Sequence, residues 1–237
     1  MERVVNGPIP ADFMSNFDNR IKSFRFDVGK NELLVLDQLL LPHKIEYIPI
    51  KNTKDAFTVI RKMQVRGAPL IAIIGALSLL VELTELNFTR NDDLILFIEE
   101  KVKYLLSSRP TAINLQNALD TVLVASHVDG DASSKKNVLD SILKLLHDES
   151  EENRRLIWNG YQEILNIKNP SSKFVLMTIC NTGSLATSSW GTALGVIFSL
   201  HQANHVEMVF VLETRPYNQV RCILTYFSLL CSMSVFL

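Results

Sequence analysis

Lys173-Phe-Val-Leu-Met-Thr-Ile-Cys-Asn-Thr-Gly-Ser184, read on to Glu213-Thr-Arg-Pro-Tyr-Asn-Gln219, decides the fold. Phe174 to Ile179 is a short, almost wholly apolar run, and Cys180-Asn-Thr-Gly-Ser184 breaks it. Leu185 to His201 carries a helical pattern, and Val206 to Leu212 is a second apolar run. Two continuous apolar strands around one helix predict a βαβ unit in a parallel sheet. Ligands of such sheets bind beyond the carboxyl ends of the strands. Cys180 closes the first strand and Glu213 to Gln219 follows the second, so a thiol and a polar cluster are predicted on one rim.

Ahead of this unit the chain reads as mainly helical with a small sheet. Ser23 to Phe26, Leu33 to Pro42 and Lys44 to Ile50 supply the sheet and its connections. Apolar residues at helical spacing predict helices over Lys54 to Met63, Leu70 to Leu83, Asp92 to Ser107, Ile113 to Ser126 and Lys136 to Ile167, with a surface loop at Asp129 to Ser134. The fold class is α/β. A flexible extension covers 1–20, a helical domain with a small sheet covers 21–168, and a Rossmann-like domain begins at 169, its boundary near Asn169-Pro-Ser-Ser172.

Three local clusters carry chemistry. Arg66-Gly-Ala-Pro69 precedes a helix; free amides at the helix start plus Arg66 would hold an anion, with Gly67 allowing close approach. Ordinary helix-entry punctuation with a solvated Arg66 is the commoner reading of such a segment taken alone. Arg109 follows a helix, where a cation is favoured by the helix dipole alone. Cys180 is either a buried structural thiol or, by its place at a strand end leading into a helix, a functional one. His201, His205 and Glu207 lie near one another, but a third ligand and its supporting shell are not evident, so no metal is assigned.

Composition narrows the class. The 237 residues are 47% hydrophobic with a net charge of −1, which provides a core but no basic field for nucleic acid. Cys180, Cys222 and Cys231 show no disulfide or metal spacing, which fits a reducing compartment. Cys222 to Leu237 holds no charged residue, yet it is shorter than the roughly 20 residues of a spanning helix, and no membrane association is assigned.

Taken together and in order, Met63-Gln-Val-Arg-Gly-Ala-Pro69, Ser108-Arg-Pro-Thr-Ala-Ile-Asn-Leu115, Cys180-Asn-Thr-Gly-Ser-Leu-Ala-Thr187, Gly191-Thr-Ala-Leu-Gly-Val196 and Glu213-Thr-Arg-Pro-Tyr-Asn-Gln219 resemble the methylthioribose-1-phosphate isomerase family. The resemblance runs from about Ile21 to Gln219. It implies an aldose–ketose isomerisation in methionine salvage that uses no metal or organic cofactor. It implies Cys180 as the catalytic cysteine, and Arg66, Gly67, Ala68, Arg109 and Gln219 as substrate contacts. A homodimer in the cytoplasm, with the nucleus as a second compartment, is implied as well. So are two rival readings: a non-catalytic sugar-phosphate-binding or regulatory protein of the translation initiation factor 2B-like superfamily, and a ribose-1,5-bisphosphate isomerase.

The departures also carry weight. Ile179 stands where the family commonly has His, and Leu70 where it has Ala. Family proteins continue past the glutamine into segments bearing a proton-donor aspartate and an Asn-Lys pair; here 220–237 reads as an apolar tail outside the family pattern. The resemblance therefore implies a shortened chain that is inactive or poorly folded by itself, with apolar strand faces exposed.

Overall fold

A computed structural model describes residues 9–10, 13, 21–127, 134–167, 173–213 and 235–236. They form two compact units, Lys22–Glu149 and Met1–Ile21 with Ser150–Leu237.

The first unit opens with an antiparallel sheet of β1 (Phe24–Asp27), β2 (Glu32–Leu36) and β3 (Tyr47–Ile50), in that order. Phe24 faces Val35 and Leu33 faces Ile50 across the ladder, so apolar side chains meet on the inner face. Helices α1 (Thr53–Arg61), α2 (Ala68–Glu85), α3 (Asn91–Leu106) and α4 (Ile113–Ser126) follow. Among the described residues, α2 is the helix long and apolar enough to cross a membrane, and it is mostly buried. A helix apolar all round belongs in a core. Leu70, Ile74 and Leu77 are wholly buried there beside Leu33 and Val35.

Glu82 ties three helices together. Its carboxylate accepts from the Thr53 amide at 2.8 Å and hydroxyl at 2.7 Å, and its other oxygen meets Lys101 Nζ at 2.7 Å. Burial alone would raise its pKa; the hydrogen bonds from Lys101 and Thr53 and the Lys101 charge outweigh burial and lower it from the usual 4.5. A carboxylate with a lowered folded pKa adds stability in full above the unfolded value, and that stability is lost as pH falls through the folded one. Glu82→Gln is expected to cost about 2 kcal/mol at pH 7, with the difference shrinking below pH 4.5, read by urea unfolding across pH. A difference that stays constant from pH 7 to pH 3 would refute the assignment.

Helix α5 (Ser134–Ile167) is a single run of 34 residues, and the division between the units falls inside it, between Glu149 and Ser150. The sequence places the boundary about twenty residues later, in 169–172, a segment outside the described residues. The reason is packing. Val138 and Ile142 join the first core, whereas Ile157, Tyr161, Ile164 and Leu165 join the second. A continuous helix gives no local break where its packing partner changes. Of the surface loop read at Asp129 to Ser134, all but Ser134 lies outside the described residues, and Ser134 starts α5. The extension read at 1–20 is also mostly outside them. Phe13 is described, and its ring meets Trp158 edge-on at 4.8 Å.

The second unit is the predicted βαβ arrangement. β4 (Phe174–Ile179) pairs in parallel with β5 (Val206–Leu212), joined by α6 (Ala193–Gln202), and β6 (Val235–Phe236) pairs in parallel with β5. One expectation fails here and another is met. The helix begins at Ala193 instead of Leu185, because 180–192 forms a compact loop of bends and turns. One face of β4 is exposed, the apolar strand face expected above. Phe174 and Thr178 turn inward, while Val175, Met177 and Ile179 are 55%, 66% and 58% exposed. Helix α6 and the second half of α5 feed a core on the other face, formed by Leu194, Ile197, Phe198, Val209 and Val211 with Ile157.

An exposed apolar strip on an edge strand invites association. Met177→Lys is expected to raise the soluble yield of the chain and reduce binding of an apolar dye, with little change in melting temperature. A drop of several degrees would show instead that Met177 is packed in solution.

Candidate functional site

Cys180 sits at the carboxyl end of β4 with φ of 78°, a region that non-glycine residues seldom occupy. Such backbone strain persists only where the surroundings hold it, and it clusters at functional sites. The thiol is exposed, so the reading of a buried structural cysteine is overturned. Nor does Cys180 lead directly into a helix, because the loop to Thr192 intervenes.

The loop is held by its own contacts. Thr182 Oγ1 lies 2.8 Å from Thr192 Oγ1 and accepts from the Leu194 amide at 3.4 Å. The Ala186 amide and the Thr187 hydroxyl donate to the Gly183 carbonyl at 2.9 and 3.2 Å. Gly191 is packed directly on Gly183: a Cβ at Gly191 would fall 2.1 Å from Gly183 Cα. Sequence reading took Leu185 to Thr192 as helix and so missed Thr182, Thr192 and this glycine pair as positioning groups. The available signal was the spacing of Gly183 and Gly191, both at positive φ. Asn181 Nδ2 and Ser189 Oγ are buried in this loop without a hydrogen-bond partner.

Arg66, Gly67 and Ala68 belong to the other unit and stand together at the start of α2. Gly67 is the N-cap, with φ of 99° and no side-chain cap, and Pro69 falls in the first turn. Arg66 is 5% exposed, and its Nε donates to the Met63 carbonyl at 2.9 Å. A solvated Arg66 is thereby excluded. The segment before it is fixed as well: the Gln64 amide donates to Val59 and its side chain to Asp37, at 2.9 and 2.6 Å. A buried guanidinium beside an uncapped helix start is equipped to hold a phosphate or other anion.

Arg109 lies half-buried in the α3–α4 turn, its carbonyl accepting from the Ala112 amide at 2.9 Å. The helix that follows packs close: a Cβ at Gly75 of α2 would come within 2.6 Å of Leu115. Thus the start of α4 abuts α2 about two turns from its amino terminus. Gln219, like Arg215, Cys222 and Cys231, lies outside the described residues. Glu213 directly follows β5 and is the last described residue before Val235.

Other features are separate from this chemistry. A cavity of about 410 Å³ beside Lys30, Asn31, Ile50, Val81 and Glu85 contains none of the candidate site residues. Burial lowers the His201 pKa from the usual 6.5, and the nearby Lys173 charge lowers it further. Among the described residues no group of three or more His, Cys, Asp or Glu is placed to hold a metal ion.

Comparison with known proteins supplies the lineage. Methylthioribose-1-phosphate isomerases of Caenorhabditis briggsae and Caenorhabditis elegans are each 48% identical over 92% of this chain. The chain spans 59% of the length of each of these relatives. The crystal structure of 5-methylthioribose 1-phosphate isomerase from Pyrococcus horikoshii OT3 matches 92% of this chain and 60% of its own, with a TM-score of 0.78 and 24% identity, and so shares the fold. The translation initiation factor eIF-2B subunit delta from A. fulgidus matches 91% of this chain and 61% of its own, with a TM-score of 0.72 and 31% identity. A family model described as the Initiation factor 2 subunit family matches residues 64–229, which also carries the family pattern ten residues past Gln219, where the resemblance alone ends it. With more than half of its residues matched, this chain belongs to the Initiation factor 2 subunit family.

Proposed function

We propose that the protein interconverts 5-methylthioribose 1-phosphate and 5-methylthioribulose 1-phosphate in methionine salvage. The observation that carries this reading is the exposed thiol of Cys180, held in strained backbone at the carboxyl end of a parallel strand, in a chain 48% identical to proteins named for this reaction.

Phosphorylation at the anomeric carbon prevents ordinary ring opening, so the ring oxygen must be protonated as its bond to C1 breaks. Hydrogen then moves from C2 to C1, and the C2 hydroxyl proton leaves as the ketone forms. In this reading Arg66 and the Gly67 and Ala68 amides hold the phosphate, Arg109 and Gln219 contact substrate, and Cys180 assists the hydrogen transfer. The acid for the ring oxygen is assigned to no described residue; the family resemblance gives that role to an aspartate further along. Cytoplasmic, with nuclear, residence and a homodimer belong to the same proposal.

The test is ketose formation, followed by NMR, from 5-methylthioribose 1-phosphate and from ribose 1,5-bisphosphate. It is run on the 237-residue chain and on a chimera continued with the remaining sequence of the Caenorhabditis elegans relative. Turnover of the first sugar alone is the expected result, in the chimera if not in the chain. Binding of sugar phosphate without turnover in either form would favour a regulatory, non-catalytic role, which the likeness to the eIF-2B delta structure supports. No binding in either form would sink both readings.

A further inference from the structure

We infer that Asn181 is a substrate-binding residue, its side-chain amide donating to an oxygen of the sugar phosphate close to the carbons on which Cys180 acts. This rests on the reading of the Cys180 loop as the substrate site.

Asn181 directly follows the strained Cys180 at the ligand-facing end of β4. Its Nδ2 is buried without an acceptor among the described residues. A buried donor left unpaired destabilises the ligand-free fold, and native proteins leave few of them. The surrounding loop offers little freedom to relieve it. The next residue, Thr182, is locked to Thr192, and Gly183 is packed against the Gly191 backbone. Ser189 Oγ, on the same loop, is a second buried polar atom without a partner. A sugar phosphate presents hydroxyl, ring and phosphate oxygens, all of them acceptors, which is what an amide N–H donor requires. The donor is thus poised for a ligand at the expense of the empty protein's stability, as is common where stability and activity conflict.

Asn181→Leu keeps the branched outline of the side chain and removes the donor. Melting temperature without ligand and the affinity for 5-methylthioribose 1-phosphate, by calorimetry, are measured on the full chain and on the chimera. The expected result is a melting temperature equal to or above that of the unsubstituted protein, with affinity at least about tenfold weaker. Asn181→Asp should bind more weakly still, because its charge opposes the phosphate. A purely structural role would lower melting temperature and affinity together, and a fall of several degrees overturns the inference. Unchanged affinity in Asn181→Leu overturns it too, while leaving the site reading intact. Failure of the unsubstituted chain and chimera to bind overturns the site reading, and the inference with it.

Discussion

Gly191→Ala is expected to destabilise the second unit by roughly 3 kcal/mol or more, a large share of a domain's total stability. The new Cβ would lie 2.1, 2.2 and 2.5 Å from the Cα, C and N atoms of Gly183. Those are backbone atoms, fixed by the bonds that the Gly183 carbonyl accepts from Ala186 and Thr187. The clash is therefore relieved only by parting the two arms of the loop. A second penalty is conformational, since Gly191 has φ of 82°, where a side chain adds strain. Gly183→Ala offers an internal comparison. Its φ is 86°, yet its Cβ would meet the flexible Leu194 side chain at 2.8 Å, so a smaller loss, about 1–3 kcal/mol, is expected. Urea unfolding of the two variants checks the order. Stability of Gly191→Ala within about 0.5 kcal/mol of the unsubstituted chain would show that the glycine contact does not form in solution.

Cys180→Ala is expected to lower turnover of 5-methylthioribose 1-phosphate by about 10²–10⁴-fold, in whichever of the chain and the chimera turns over, while affinity stays within about threefold. The split between turnover and affinity is the diagnostic part. Arg66 and the α2 amides would carry phosphate binding, and the substitution leaves them untouched. The exposed thiol also fills no core space, so its loss should leave the melting temperature nearly unchanged. Equal turnover by Cys180→Ala and the unsubstituted protein would remove the thiol from the chemistry. An equal loss of turnover and affinity would instead mark Cys180 as part of the binding surface.

Much of the first unit was legible in the sequence because its signals are local. The apolar run from Leu70 to Leu83, with Pro69 ahead of it, marks a core helix, and α2 is one. The apolar positions of α1 and α3 recur at helical spacing, and both helices bury those faces. The parallel pair β4 and β5 was legible for the same reason: two apolar runs flank one amphipathic segment. The candidate residues Cys180 and Arg66-Gly-Ala-Pro69 are likewise read from residue type and order alone.

What the sequence by itself determined is thus the kind and order of elements and the residues with reactive or charged groups. The tertiary structure alone decided the rest, because the rest depends on partners distant in the chain. Leu185 and Ala186 fit a helical pattern, but the Gly183–Gly191 contact and the Thr182–Thr192 bond hold them in a loop and delay α6 to Ala193. Arg66 is buried because the turn after α1 folds it against the Met63 carbonyl, which residue type does not disclose. Val175, Met177 and Ile179 are as apolar as buried strand residues, and only the one-sided packing of α6 and α5 leaves them exposed. Periodicity reports which face of an element seeks burial; whether another element arrives to cover it is settled by packing.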